Sequence, residues 1–503
     1  MSSNAGLTWR KPPLKPIDTA LVRDESPEDL LQAEPLSPSA RLFHEPNFNV
    51  YVMAIMASRK RIDLEIVMSK FPDTMLKHPR FSSLQVVDEK TKQMKWVPTT
   101  VDLRKHVIVA EIGVSSMASP EKVVEDYISN LTTTTIDMTK PLWEIHILNV
   151  KTTDAEAFAV WKIHHSLGDG TSLMSLLLAS CRQVADPKAL PTLPTQKRRP
   201  VNGVRQKTMD NRLIGGMWTL LVSLWFAVQT MWNSVVDMFM FAMTFVFLND
   251  TRTPLTSPPG VENLPRRFMW TTVSLDDIKL IKNAMNTTIN DVALGVTQAA
   301  LSQYLNRKFG GKLPKKIRLR STLLINLRPT PGIQALADMM EKGTSASWGN
   351  WIGYVLLPFT IGLRRDPLDY IREAQATANR KKRSLEAIWT FTLAELILKL
   401  FGIKRSSALS DRIIKHTTLC FSNLVGPIEE IEFHGHPMAY LAPSSFNQPH
   451  ALMINFQSYA DKMTVVLSLE ESTIPDGQQL LDDIVDSLKL IKEAAVSKCK
   501  EGS

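Results

Sequence analysis

The adjacent histidines His164 and His165, followed by Ser166-Leu167-Gly168-Asp169-Gly170, are the residues whose types and spacing point to chemistry. A neutral imidazole is the natural general base near neutral pH. Asp169, four residues after His165, is placed either to orient the imidazole or to pin the loop. Neighbouring strand residues point to opposite faces, so only one of the two histidines can face a given cavity. A metal site does not fit. The spacing matches no zinc motif, and the other histidines are scattered apart from His434-Gly435-His436. Ser166 lacks the Gly-x-Ser-x-Gly flanks of a nucleophile elbow.

The motif needs a strand before it and a helix after it. Ala157 to Ile163 is an apolar run of strand formers. Thr171 to Ser180 has helix-like composition, with Thr171 or Ser172 as caps. Gly168 and Gly170 are expected to fold the intervening loop tightly and to bring Asp169 back toward the strand end. Around this unit, strands interleave with helices in both halves of the chain, which points to α/β layers. Further strands are expected near 48–56, 106–112, 144–150, 268–275, 317–327, 351–359, 417–424, 452–457 and 463–469. One long helix is expected from about Leu368 to Phe401 and a closing helix from about Gly477.

At 503 residues the chain is long enough for two domains. The expected division is a loose arm at 1–33, an N-terminal domain at 34–185, a linker at 186–265 and a C-terminal domain at 266–503. The net charge of +9 falls in patches such as Lys197 to Arg199, Arg307 to Arg320 and Arg380 to Arg383. Such patches suit coenzyme A phosphates or an anionic membrane surface. No nucleic-acid motif accompanies them, so nucleic acid is not an expected partner. Three cysteines without paired spacing suit a reducing compartment, and the first residues lack the apolar core of a secretory signal.

The His-His-x-x-x-Asp-Gly motif resembles the signature of CoA-dependent acyltransferases. Pro141-Leu142-Trp143-Glu144, Asn290-Asp291, Asn326-Leu327-Arg328, Gly349-Asn350 and Ser422 to Pro427 follow in the order expected of the wax ester synthase/diacylglycerol acyltransferase family. Pro35 to Phe43 looks like its plant branch. The Asp-Phe-Gly-Trp-Gly motif of the plant acyltransferases of specialised metabolism is missing from the sequence.

The resemblance implies two chloramphenicol-acetyltransferase-like mixed α/β domains with the active site at their interface. It implies acyl transfer from a long-chain acyl-CoA to a fatty alcohol or to diacylglycerol. In that reading His165 is the general base, His164 supports it, and Asp169 and Gly170 are structural. Asn290, near the start of a helix, is the oxyanion candidate or simply a helix cap. Ser422 and Asn423 are substrate-binding candidates. Arg328 is expected to pair with Asp169, and Pro141 and Trp143 to pack beneath the site. No cofactor or metal is expected, with acyl-CoA as co-substrate. The alternatives are another hydroxyl acceptor, or a non-catalytic lipid- or CoA-binding membrane protein of the same fold.

Leu213 to Val236 contains no charged residue. About twenty such residues as a helix reach about 30 Å, the thickness of a bilayer core. Trp218, Trp225, Trp232 and Phe239 recur every seven residues, and tryptophan favours the membrane interface. The expectation is a helical anchor within 213–248, re-entrant or in the plane of the membrane. Both domains would then lie on the cytosolic face of the endoplasmic reticulum, with the plasma membrane as the alternative. A core helix is the competing reading.

Overall fold

The computed structural model describes residues 34–89, 93–112, 119–194, 212–327, 332–344, 348–350 and 352–501. The expected N-terminal arm, the Lys197 to Arg199 patch and Arg328 lie outside them.

The N-terminal half runs β1 (Glu34–Pro35), α1 (Pro38–Leu42), β2 (Tyr51–Ser58), α2 (Leu64–Lys70), β3 (Ser83–Val87), β4 (Met94–Pro98), β5 (Val107–Val109) and α3 (Pro120–Leu131). It continues through β6 (Trp143–Leu148), β7 (Ala157–His164), α4 (Gly170–Ala179) and β8 (Cys181–Gln183). The long helix α5 (Arg212–Val246) follows. The C-terminal half then runs β9 (Arg267–Ser274), α6 (Leu275–Ala284), α7 (Ile289–Lys308), β10 (Arg318–Asn326), α8 (Ile333–Lys342), β11 (Ile352–Thr360), α9 (Leu368–Lys382) and α10 (Glu386–Lys415). It closes with β12 (Leu419–Leu424), β13 (Ile431–Phe433), β14 (His436–Phe446), β15 (Leu452–Tyr459), β16 (Lys462–Leu469) and α11 (Gly477–Glu501).

Two mixed sheets carry the site. One has the order β11-β10-β12-β15-β16-β9, and the other β5-β6-β7-β2-β14-β13-β8. The second takes strands from both halves of the chain. Strands β13 and β14 come from the C-terminal half, yet β14 pairs antiparallel with β2 from Phe446↔Tyr51 to Met438↔Ser58. The two halves are therefore stitched together by one sheet. Strand β7 is buried along its whole length, which is why its sequence reads as continuous apolar run rather than alternation. Helix α7 is likewise buried almost throughout and starts at a capping box, Thr288 with Asp291.

The single helix expected from Leu368 to Phe401 is two helices. The break falls at Arg383–Leu385, where Lys381 Nζ reaches Asp237 Oδ1 at 2.9 Å and Glu386 Oε2 at 2.6 Å, and Arg380 also bridges to Asp237. The partner that fixes this turn, Asp237, lies on α5, far away in sequence. Helix α10 then runs past Phe401 to Lys415, with a kink at Gly402 (φ 78°). That left-handed conformation suits glycine alone.

Candidate active site

Strand β7 ends at His164, and a single 3₁₀ turn, His165–Leu167, leads into α4. The His165 amide donates to the Val50 carbonyl at 3.0 Å, which ends the ladder and swings the imidazole out of the sheet. Its ring stacks on Phe43, with centroids 4.3 Å apart at 22°. Burial lowers its pKa to about 4, partly offset by a hydrogen bond with its own backbone. His165 is therefore neutral at physiological pH, the form that accepts a proton.

The two histidines diverge. His165 faces a cavity, whereas His164 is enclosed in a polar network. His164 Nδ1 pairs with Ser166 Oγ at 2.6 Å, and Nε2 meets Asn49 Oδ1 at 3.0 Å and the Phe43 carbonyl at 3.1 Å. Gln85 Nε2 donates to the same Ser166 oxygen at 2.8 Å, and His44 pairs with Gln85. This network holds the turn from behind. It was not legible in the sequence, because Gln85, His44 and Asn49 belong to no motif.

Asp169, rather than Thr171 or Ser172, caps α4, accepting from the Ser172 amide at 2.8 Å. Gly168 has an extended backbone (φ 174°), so the loop does not need it for a tight turn. It is needed because a Cβ there would lie 2.9 Å from the Trp348 ring. Trp348 Nε1 donates to the Leu167 carbonyl at 2.6 Å, and Asn350 Nδ2 donates to the His165 carbonyl at 2.9 Å. Two side chains from the C-terminal half thus latch the motif loop. The Gly349-Asn350 pair stood out in the sequence only by resemblance, and Trp348 carried no signal.

Trp143 lies beneath the motif strand, fully buried, with Nε1 donating to the Phe81 carbonyl at 2.9 Å and its ring stacked on Phe71 and His106. The residue after Pro141, Leu142, accepts from the His164 amide. Ser422 and Leu424 line the cavity, and Leu424 packs 3.7 Å from where a Gly170 Cβ would stand. Asn423, between them on β12, turns instead to Asn290 and donates to its side-chain oxygen. Asn290 is exposed and does not cap α7; Thr288 does. The amides nominated at 290 and 423 are thus brought together, beside the cavity lining rather than in it.

The cavity lies between the sheets and holds about 1110 Å³ of empty space, counting its open mouth. Its lining is mainly apolar, with Leu173, Met174, Leu177 and Phe421 among its walls. Polar groups at Ser422, Ser444 and Asn455 converge on it. A second cavity meets the first at His165 and shares Leu324, Ile352, Cys420, Ser445 and Met453 with it. The thiol of Cys420 is pushed up to about 12 by burial, which leaves it unreactive.

Removing the Asp169 carboxylate is expected to cost roughly 0.5–2 kcal/mol through the lost helix cap, and to lower activity with it. Thermal unfolding of Asp169→Ala beside its turnover checks this. Wild-type melting with selectively lost turnover would deny the carboxylate a structural role.

A neutral imidazole is thus held at the seam of two mixed sheets, where two cavities meet, within a two-layered α/β fold of the acyltransferase type. The wax ester synthase/diacylglycerol acyltransferase catalytic-domain model matches residues 33–293, and the WS/DGAT C-terminal domain model matches 348–492. The chain belongs to this family, and it is an acyl-CoA-dependent wax ester/diacylglycerol acyltransferase. It is 47% identical over 477 residues to wax ester synthase/diacylglycerol acyltransferase 11 of Arabidopsis thaliana, covering 93% of this chain and 97% of that one. It is 45% identical to number 6 of the same plant, covering 94% and 96%. In fold it is similar to the solved wax ester synthase/diacylglycerol acyltransferase of Marinobacter aquaeolei VT8, with a TM-score of 0.58 at 19% identity over 92% of this chain and 99% of that one. It is also similar to the starter condensation domain of rhizomide synthetase RzmA in complex with C8-CoA, with a TM-score of 0.53 at 11% identity over 94% of this chain and 97% of that one.

Proposed function

We propose that His165 is the general base for direct acyl transfer from a long-chain acyl-CoA to a lipid alcohol. The neutral, buried imidazole at the meeting point of two cavities carries this reading. His165 takes the proton of the attacking hydroxyl as its oxygen bonds to the thioester carbonyl. It then gives that proton to the departing thiolate, so no acyl-enzyme is needed. The large apolar cavity beside Leu173 and Leu177 suits the acyl chain. Ser422, Ser444 and Asn455, polar groups on the cavity lining, are candidates to stabilise the oxyanion. Asn290 would serve only on releasing Asn423. Incubating the purified protein with radiolabelled acyl-CoA and a panel of fatty alcohols, diacylglycerol, sterols and phenols tests the acceptor class. Ester formed only from a sterol or phenol would overturn the proposed acceptors, and binding without turnover would overturn the catalytic role of His165.

Attachment to the endoplasmic reticulum belongs to the same proposal. Trp218–Val246 is long and apolar enough to cross a membrane. The helix is amphipathic in an inverted sense: Asn233, Ser234, Asp237 and Thr244 are buried, while Trp218, Trp225, Trp232 and Phe239 are 60–68% exposed. A helix in water shows the opposite pattern. The preceding stretch carries Lys197, Arg198, Arg199, Arg205 and Lys207, a costly sequence to return through a bilayer. Both flanks of α5 must also serve one interlocked body. An anchor lying in the plane of the membrane meets these conditions. On sealed microsomes, tags near 200 and 255 are expected to be digested together from outside; protection of only one would mean that the helix spans.

A further inference from the structure

The exposed apolar surface does not end with α5. The first part of α10, which packs against α5, exposes Ile388, Trp389, Leu396, Leu400 and Phe401 by 49–65%. The kink at Gly402 separates this outer segment from a second one whose Ser410, Ile413 and Ile414 are buried. Arginines stand at the edges of the same face over its aromatic rings: Arg383 over Phe226, Arg405 over Phe401 and Arg412 over Phe245, at 5.1–5.8 Å. An apolar face rimmed by guanidinium groups complements the hydrocarbon and headgroup layers of an anionic bilayer.

Beneath this face a small apolar cavity lies between Phe241 of α5, Thr390 and Leu393 of α10, and Tyr354 of β11. Tyr354 also lines the second cavity, the one that reaches His165. One side chain therefore separates the membrane-side space from the catalytic space. Ile413 and Ile414, consecutive on α10, line the outer and inner cavities in turn. The backbone here is fixed: the Thr390 hydroxyl accepts from the Tyr354 amide and donates to its carbonyl, both at 2.9 Å. The Tyr354 side chain, by contrast, is only partly buried and meets the Ser410 hydroxyl. A ring on a fixed backbone between two hollow spaces can turn without disturbing the sheet. Thr322, Ser445 and Gln448 line the same inner cavity as His165 and give it polar groups suited to a hydroxyl headgroup.

We propose that the acceptor, a long-chain lipid alcohol dissolved in the bilayer, reaches His165 laterally between α5 and α10, past Tyr354, while acyl-CoA occupies the other cavity. This rests on the acyltransferase reading above and adds the route and the gating residue. The outer cavity holds little free space in this state, so passage requires Tyr354 and Leu393 to move. Vesicles of phosphatidylcholine with anionic phosphatidylserine, carrying hexadecanol with a terminal diazirine and irradiated with the full-length protein, test the route without turnover. Labels are expected on Tyr354, Leu393 and Ile413. Labels confined to Leu173, Met174 and Leu177 would overturn it. As a second measurement, Leu393→Trp is expected to lower the ratio of vesicle-hexadecanol to aqueous-butanol esterification by about ten-fold, and an unchanged ratio in a folded variant would count against the route. If the wild-type protein esterified neither alcohol yet was labelled at Tyr354, the acyltransferase reading would fail and the route would stand.

Discussion

His165→Ala is expected to slow acyl transfer by roughly 10²- to 10⁴-fold, the usual worth of a positioned general base, while leaving the melting temperature close to wild type. The imidazole stands at the junction of two cavities and its main ring contact is Phe43, so little packing depends on it. His164→Ala should behave in the opposite way. It would leave Ser166, Asn49 and the Phe43 carbonyl short of a partner in a buried network, a loss of about 1–3 kcal/mol. Steady-state turnover and thermal unfolding of the two variants, compared side by side, separate a chemical from a structural histidine. Near-normal turnover in His165→Ala would refute the general-base assignment.

The second large effect concerns acid. His78, His106, His164, His165 and His450 are all buried. Burial holds His106 and His165 at about 4, His78 and His450 at about 3, and His164 well below its ordinary value. In the unfolded chain each returns to about 6.5. Between these values the unfolded state binds more protons than the folded one. Stability is therefore complete above about pH 6.5 and is lost as pH falls toward 4. Each histidine costs about 1.4 kcal/mol one unit below its unfolded value, and five together reach on the order of 7 kcal/mol, within the range of a domain's whole stability. Tryptophan fluorescence during thermal unfolding at pH 7 and pH 5.5 should show a steep drop in melting temperature. Equal melting at both would mean that water reaches these rings. The His165 imidazole stays neutral over this range, so activity should fall with the fold rather than with the titration of His165.

The motif strand, the helix after it and strands β15 and β16 were legible because burial on both faces leaves a largely apolar run. Strand β14 was not. Pro437, Pro443, Ser444 and Ser445 give it the composition of a loop, and only pairing with β2 makes it a strand. Strands β3 and β4 were hidden by polar alternation. The family motifs named the loop from His164 to Gly170, but not what holds it. Trp348 and Asn350 act from the other half of the chain through backbone carbonyls. Such contacts leave no local spacing to read. For the same reason, Asn290 looked like a lone donor until Asn423 was found beside it.

The pairing of β14 with β2 has a consequence for biosynthesis. Ser58 meets Pro437 across 379 residues of chain. At about 5–20 residues per second, roughly 20–80 s pass after β2 leaves the ribosome before its neighbour emerges. During that time β2 presents an open, strongly apolar edge, the kind that recruits other chains. Productive synthesis should therefore lean on chaperones that shield nascent strands. A message truncated before codon 436 should yield aggregate rather than a folded half-enzyme, so premature stop codons late in the gene would be as damaging as early ones.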